Sequence, residues 1–186
     1  MICYNKIMKV AILGSIPKGD EARKTWVDWK TEYVNKIREV LPKIEILDGD
    51  KISDNVGAEL VVGHDLNMVK SADLIIVDAQ KKIGAGTAQE IVIAKYFKKP
   101  VVLAIPPETH YRRSGVVFDG EPMEEWIHPF LKIASDYIAD SINDAVIWAK
   151  EYFSNRDKIA VKDFSVYTDA IDKYMAEYDK IEWPDR

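Results

Sequence analysis

Asp73-Leu74-Ile75-Ile76-Val77-Asp78 is a run of four apolar residues with an acid at each end. It is too short for a helix and shows no polar alternation. A strand of this kind is covered on both faces, as in parallel sheets. Further short apolar stretches closed by Gly, Pro or Asp, one of them interrupted by Glu45, read as strands on either side of it. Val10-Ala11-Ile12-Leu13 ends in Gly14-Ser15-Ile16-Pro17-Lys18-Gly19, and Ile44-Glu45-Ile46-Leu47 ends in Asp48-Gly49-Asp50. Pro100-Val101-Val102-Leu103-Ala104-Ile105 ends in Pro106-Pro107, and a short fifth strand is expected over 134–138.

Helical periodicity fills the gaps. Trp26, Trp29, Tyr33, Ile37 and Leu41 recur at three- and four-residue spacing, so one helix is expected over 20–41, stopped by Pro42. Further helices are expected over 57–70, 87–97, 123–131, 141–153 and 167–178, with a loop over 108–122. Strands alternating with helices predict an α/β fold, a flavodoxin-like doubly wound sheet of about five parallel strands. The α/β domain is expected over 8–153 and a C-terminal helical extension over 154–186, with the residues ahead of Met8 read as a leader.

The chain has 186 residues, 26 Lys+Arg and 31 Asp+Glu, a formal charge of −5. That balance lacks the basic face that binding a nucleic-acid polymer requires. The single cysteine, Cys3, allows no internal disulfide and points to a reducing, cytoplasmic compartment. No run is apolar enough for a membrane span. The three histidines, His64, His110 and His128, are scattered without zinc spacing, so no metal is expected.

In a doubly wound sheet, ligands bind beyond the carboxyl ends of the strands. That rule gathers the loops 14–19, 78–86 and 106–114. In the first, small residues let the backbone approach a ligand, Ser15 adds a hydroxyl and Lys18 a charge. Its glycine spacing fits neither a Walker loop nor a dinucleotide fingerprint, and a plain turn reads equally well. In the second, Gly84-Ala85-Gly86-Thr87 opens a helix that carries Glu90. Glu90 reads either as the acid of a capping box begun by Thr87 or as a carboxylate facing the crevice, kept ionised by the helix N-terminus. Asp65 reads as a solvated acid near a helix start or as a partner for Glu90. Two carboxylates at one crevice suit cleavage through an oxocarbenium-like transition state.

Taken together, Asp65-Leu66-Asn67-Met68-Val69-Lys70-Ser71-Ala72-Asp73, Gly86-Thr87-Ala88-Gln89-Glu90-Ile91 and Lys98-Lys99-Pro100-Val101-Val102 resemble the nucleoside 2-deoxyribosyltransferase family. Gly14-Ser15-Ile16 and the loop ending at Ser114 look more like its branch that hydrolyses 2′-deoxynucleoside 5′-monophosphates. The resemblance covers roughly 9–150. It implies cleavage of the N-glycosidic bond of a nucleoside or nucleotide, by hydrolysis or by transfer to another base, with no metal or redox cofactor. It implies Glu90 as the nucleophile at the anomeric carbon and Asp65 beside the sugar and the departing base. Gly14, Ser15, Ile16, Lys18, Gly19, Asp78, Gly84, Gly86 and Ser114 are the implied substrate-binding set. Ser114 matches a phosphate-contacting serine supplied by a neighbouring subunit, which implies a homodimer or higher homo-oligomer. Arg112 and Arg113 are near enough in sequence to assist. The chain departs from the family at Ala11, where a tyrosine is usual, and at Gly84, where transferases carry an aspartate and the hydrolases a serine. Tyr4 or Tyr167 could replace the tyrosine. The alternatives are a non-catalytic nucleotide-binding or sensor protein on the same fold, and an assembly module using the aromatic tail.

Overall fold

The computed structural model describes residues 7–180. Cys3, Tyr4 and Trp183-Pro184 lie outside the described residues. The chain runs β1 (Met8–Leu13), α1 (Asp20–Arg23), α2 (Lys30–Val40), β2 (Ile44–Asp48), α3 (Ala58–Ser71), β3 (Leu74–Asp78), α4 (Ala85–Tyr96) and β4 (Val101–Ala104). It continues through β5 (Arg112–Phe118), β6 (Glu121–Ile127), α5 (Pro129–Ala134), β7 (Tyr137–Ala139), α6 (Ile142–Ser154) and α7 (Ser165–Glu177). No helix among the described residues is long and apolar enough to cross a membrane.

Five strands form one sheet in the order β2-β1-β3-β4-β7, every pair parallel. This is the flavodoxin-like doubly wound order expected from the apolar runs. Period-two alternation splits the core between the faces. Ala11, Leu13, Ile75, Val77, Val101 and Leu103 face α3, α4 and α5. Val10, Ile12, Leu74, Ile76, Val102 and Ala104 face α2 and α6, where Tyr33, Ile37, Val146 and Ala149 meet them. Tyr167 of α7 packs on the first of these clusters.

Three expectations are corrected. The helix over 20–41 is two helices separated at 24–29. Asp28, one residue ahead of the α2 cap at Trp29, accepts a hydrogen bond from the Lys30 backbone N–H at 3.0 Å, while the Trp29 indole turns down to the Ser15 carbonyl. The loop over 108–122 and the helix over 123–131 are largely the antiparallel hairpin β5–β6, with α5 beginning only at Pro129. Asp119 and Gly120, with φ of 51° and 88°, form its two-residue turn, a pairing favoured where both central residues need positive φ. The short last strand lies at Tyr137–Ala139, because 129–134 is helical.

Candidate active site

β1 and β3 lie side by side at the centre of the sheet, and the chain leaves them in opposite directions along the strand order. Beyond their carboxyl ends, where ligands of such sheets bind, lies a pocket of about 130 Å³. Leu13, Gly14, Ser15, Ile16 and Lys18 line it from the loop after β1, and Gly84, Gly86, Thr87 and Glu90 line it from the start of α4. Asp65 reaches it from α3, and Asp50 and Asp54 from the connection after β2.

Each side chain is placed by a local reason. Gly14 is required because the Trp29 ring lies against it: a Cβ there would stand 2.4 Å from Trp29 Cζ2. The Trp29 indole N–H donates to the Ser15 carbonyl at 2.9 Å, and the Thr87 hydroxyl donates to the Gly14 carbonyl at 3.2 Å. The loop is therefore tied to α4 on one side and to the Trp29 indole on the other. Because α4 begins at Ala85 and Thr87 is turned toward Gly14, Thr87 is not the helix cap; Gly84 holds that position. The capping-box reading of Glu90 fails with it.

Glu90 is 9 % exposed, and no hydrogen bond or ion pair to its carboxyl occurs among the described residues. Burial first, and the negative charge of Asp65 second, push its pKa up from 4.5 to about 7, against the pull of Lys18. Glu90 is the sixth residue of α4, past its first turn, and burial with the Asp65 charge favours its neutral form. Asp65 lies in the middle of α3, not near its start. Its Oδ1 is 3.0 Å from His64 Nδ1 and sits against Gly49, where a Cβ would come within 3.4 Å of it.

The rim is built from ion pairs. Lys18 Nζ is 3.0 Å from Asp54 Oδ1. The Arg23 guanidinium holds Asp50 with two of its nitrogens, and its Nε donates to the Pro17 carbonyl at 3.2 Å. Lys30, only 5 % exposed, donates to both Asp48 oxygens and to Asp50. Asp50 and Asp54 were not read as site residues from the sequence. The turn Asp48-Gly49-Asp50 was the available signal, because it closes a strand at the same end of the sheet.

Gly14, Ser15, Ile16, Lys18, Gly84, Gly86, Asp65 and Glu90 are thus brought together; Asp78 and Gly19 are not, and Ser114, expected across a subunit interface, lies away from this chain's own pocket. Asp78 is buried behind the pocket, where it accepts from the Tyr33 hydroxyl and the Gln80 amide, both at 2.9 Å. Burial and the Asp78 charge raise the Tyr33 pKa. Gly19, with φ of 81°, caps α1 outside the lining. Ser114 lies on β5, not in a loop, and its hydroxyl donates to Glu108 at 2.6 Å. Arg112 is held by Glu125, Asp140 and the Ile105 carbonyl, and Arg113 stacks on Trp126 at 4.9 Å. Tyr167 lines a different cavity of about 610 Å³ on the other side of α4, an apolar space with Ile83, Ala88, Val92, Tyr111 and Phe130 that holds neither carboxylate. Ala11 is fully buried in the sheet.

No family model matches the chain, and no curated protein does. Among solved structures, it is similar to a conserved protein from Enterococcus faecalis V583, with a TM-score of 0.55 and 18 % identity over 78 % of this chain and 98 % of that one. A second similar structure is the CMP N-glycosidase BcmB of Clostridium botulinum, with a TM-score of 0.42 and 14 % identity over 77 % of this chain and 98 % of that one. At this identity the likeness to the Enterococcus protein is one of fold.

Proposed function

We propose that the chain cleaves the N-glycosidic bond of a nucleoside or of its 5′-monophosphate. The observation that carries this reading is the pairing of two carboxyl groups from different elements, Glu90 and Asp65, in one sugar-sized pocket at the switch point of the sheet. The charge of Asp65 is felt at Glu90.

A glycosidic carbon gathers positive charge as its bond to the base breaks, and adjacent carboxylates stabilise that charge. The Glu90 carboxylate attacks C1′, the C1′–N bond breaks with its electron pair on the base, and the base takes up a proton that Asp65 relays from solvent. Water then attacks C1′ and releases Glu90; a second base at the same step makes the reaction a transfer. A carboxyl whose pKa is about 7 is present in both forms at neutral pH, so Glu90 also accepts a proton readily on the return step. His64, against Asp65, holds that carboxylate in place.

The test is release of free base from a panel of nucleosides and nucleotides, followed by chromatography, with and without a second base present. Base release that falls by about 10³-fold or more in Glu90→Gln, with folding intact, supports the assignment. Normal turnover in that variant overturns it. Tight nucleotide binding without any base release would instead make the protein a sensor on the same fold.

A further inference from the structure

We infer that His64 relays protons between solvent and Asp65 by way of a cleft separate from the substrate pocket; the inference rests on the reading above. His64 and Asp65 are neighbours on α3, and His64 Nδ1 lies 3.0 Å from Asp65 Oδ1. Successive residues of a helix point about 100° apart, so the two side chains open onto different spaces. Asp65 lines the pocket with Glu90, and His64 does not. His64 lines a second cleft, of about 220 Å³, with Lys9, Asp48 and Lys51. Met68, 6 % exposed, borders both spaces.

The pairing gives the imidazole one nitrogen for each side. Its Nδ1–H donates to the Asp65 carboxylate. Its Nε2 has no partner among the described residues and is not a buried atom, so it meets water. The charges around the cleft are engaged elsewhere or cannot accept a proton. Lys9 is paired with Glu45 and Asp48 with Lys30, and the Lys51 ammonium has no acceptor. Asp65 is therefore the acid that His64 serves.

A base that leaves with the electron pair of the C1′–N bond must gain a proton. A glycoside filling a pocket of about 130 Å³ covers the side on which Asp65 meets water, whereas His64 stays wet in its own cleft. As the base departs, Asp65 passes the Nδ1 proton to the base nitrogen, and Nε2 takes a proton from solvent. When water then adds to C1′, the proton it sheds leaves through the same two groups and restores the Nδ1–H tautomer. One water is consumed over the cycle, with no net gain or loss of protons.

The experiment measures base release by His64→Asn and His64→Ala on the substrates that the unaltered protein cleaves. Asparagine places an N–H where Nδ1 stands, so it still holds Asp65, but it has no second ring nitrogen to take up a proton. In both variants kcat is expected to fall about tenfold or more with KM nearly unchanged. Free imidazole should restore kcat severalfold in His64→Ala and leave the unaltered protein unaffected. A His64→Asn variant that turns over like the unaltered protein would show that the ring only holds Asp65. That result would overturn the inference and leave the base-release reading standing. Failure of imidazole to rescue His64→Ala would overturn it as well, since a mobile proton carrier repairs a lost relay and not a lost fold. If the unaltered protein frees no base, the reading of the pocket fails and this inference with it.

Discussion

Glu90 combines a buried carboxyl with an acidic neighbour, and both raise its pKa, to about 7. If its carboxylate is the attacking form, kcat/KM rises with pH through about 7 and levels above it. Asp65→Asn removes one of the raising charges, so the same limb moves to lower pH, as a pH–rate profile would show. Stability responds in the opposite sense. The folded-state pKa lies above the ordinary 4.5, so the fold favours the neutral carboxyl. That contribution is complete below about pH 4.5 and is lost as pH rises through about 7, by up to about 3 kcal/mol. Glu90→Gln therefore raises the thermal midpoint at pH 8 and leaves it nearly unchanged at pH 4. A variant that loses turnover while gaining stability at pH 8 cannot owe its inactivity to misfolding. Glu90 was singled out through the resemblance of Gly86-Thr87-Ala88-Gln89-Glu90. Its pKa was not legible, because burial and the approach of Asp65 are set by the packing of α3 against α4.

The loop after β1 works through the elements that hold it. Trp29 lies under Gly14 and bonds the Ser15 carbonyl, so the break between α1 and α2 supports the pocket floor. Gly14→Ala forces the indole aside and should cost about 1–3 kcal/mol in denaturant unfolding, with KM raised. Trp29→Phe keeps a ring but removes the indole N–H. About 1 kcal/mol of stability should go with it, and kcat/KM should fall because the loop drifts. Spacing alone read 20–41 as a single amphipathic helix, since Trp26 and Trp29 fit its stripe. The competing use of Trp29, against a loop far away in sequence, carries no local signature. The hairpin was missed for a different reason. Asp119-Gly120 is a legible turn signal, but Glu121-Pro122-Met123-Glu124-Glu125 shows no strand alternation because this ribbon is mostly solvated.

Across the molecule, the segment after α6 is pinned to the sheet by a buried ion pair. Lys95 of α4 and Asp136, just before β7, are fully or almost fully buried and bonded to each other. Asp136 also accepts from the Val101 N–H at 2.6 Å and the Lys162 N–H at 2.7 Å, and Lys95 donates to the Lys99 carbonyl at 2.9 Å. One node thus joins α4, β4 and the chain leading into α7. Asp136→Ala leaves a buried ammonium without its counter-ion and should cost about 3–5 kcal/mol in urea unfolding. Amide exchange at Lys162 should quicken in the same variant. Lys95→Met, which replaces the charge with an apolar chain of similar volume, should cost less than Asp136→Ala.

Continuous apolar runs, each ended by Gly, Pro or Asp, were enough to read a parallel doubly wound sheet from the linear chain. Burial on both faces leaves little choice of residue, so that pattern survives in one dimension. The same rule gathered the loops 14–19, 78–86 and 106–114, of which the first two line the pocket and the third does not, and the resemblance singled out Glu90 and Asp65. Folding settled what depends on distance. It placed Asp78 behind the wall on Tyr33 and left Ser114 on an outer ribbon, and it brought Asp50 and Asp54 in from the far side of β2. It also committed the nearby cations to acids before any ligand arrives. Charge pairing acts through space over a few ångströms, and partners such as Lys18 and Asp54, or Arg23 and Asp50, are separated in sequence by dozens of residues.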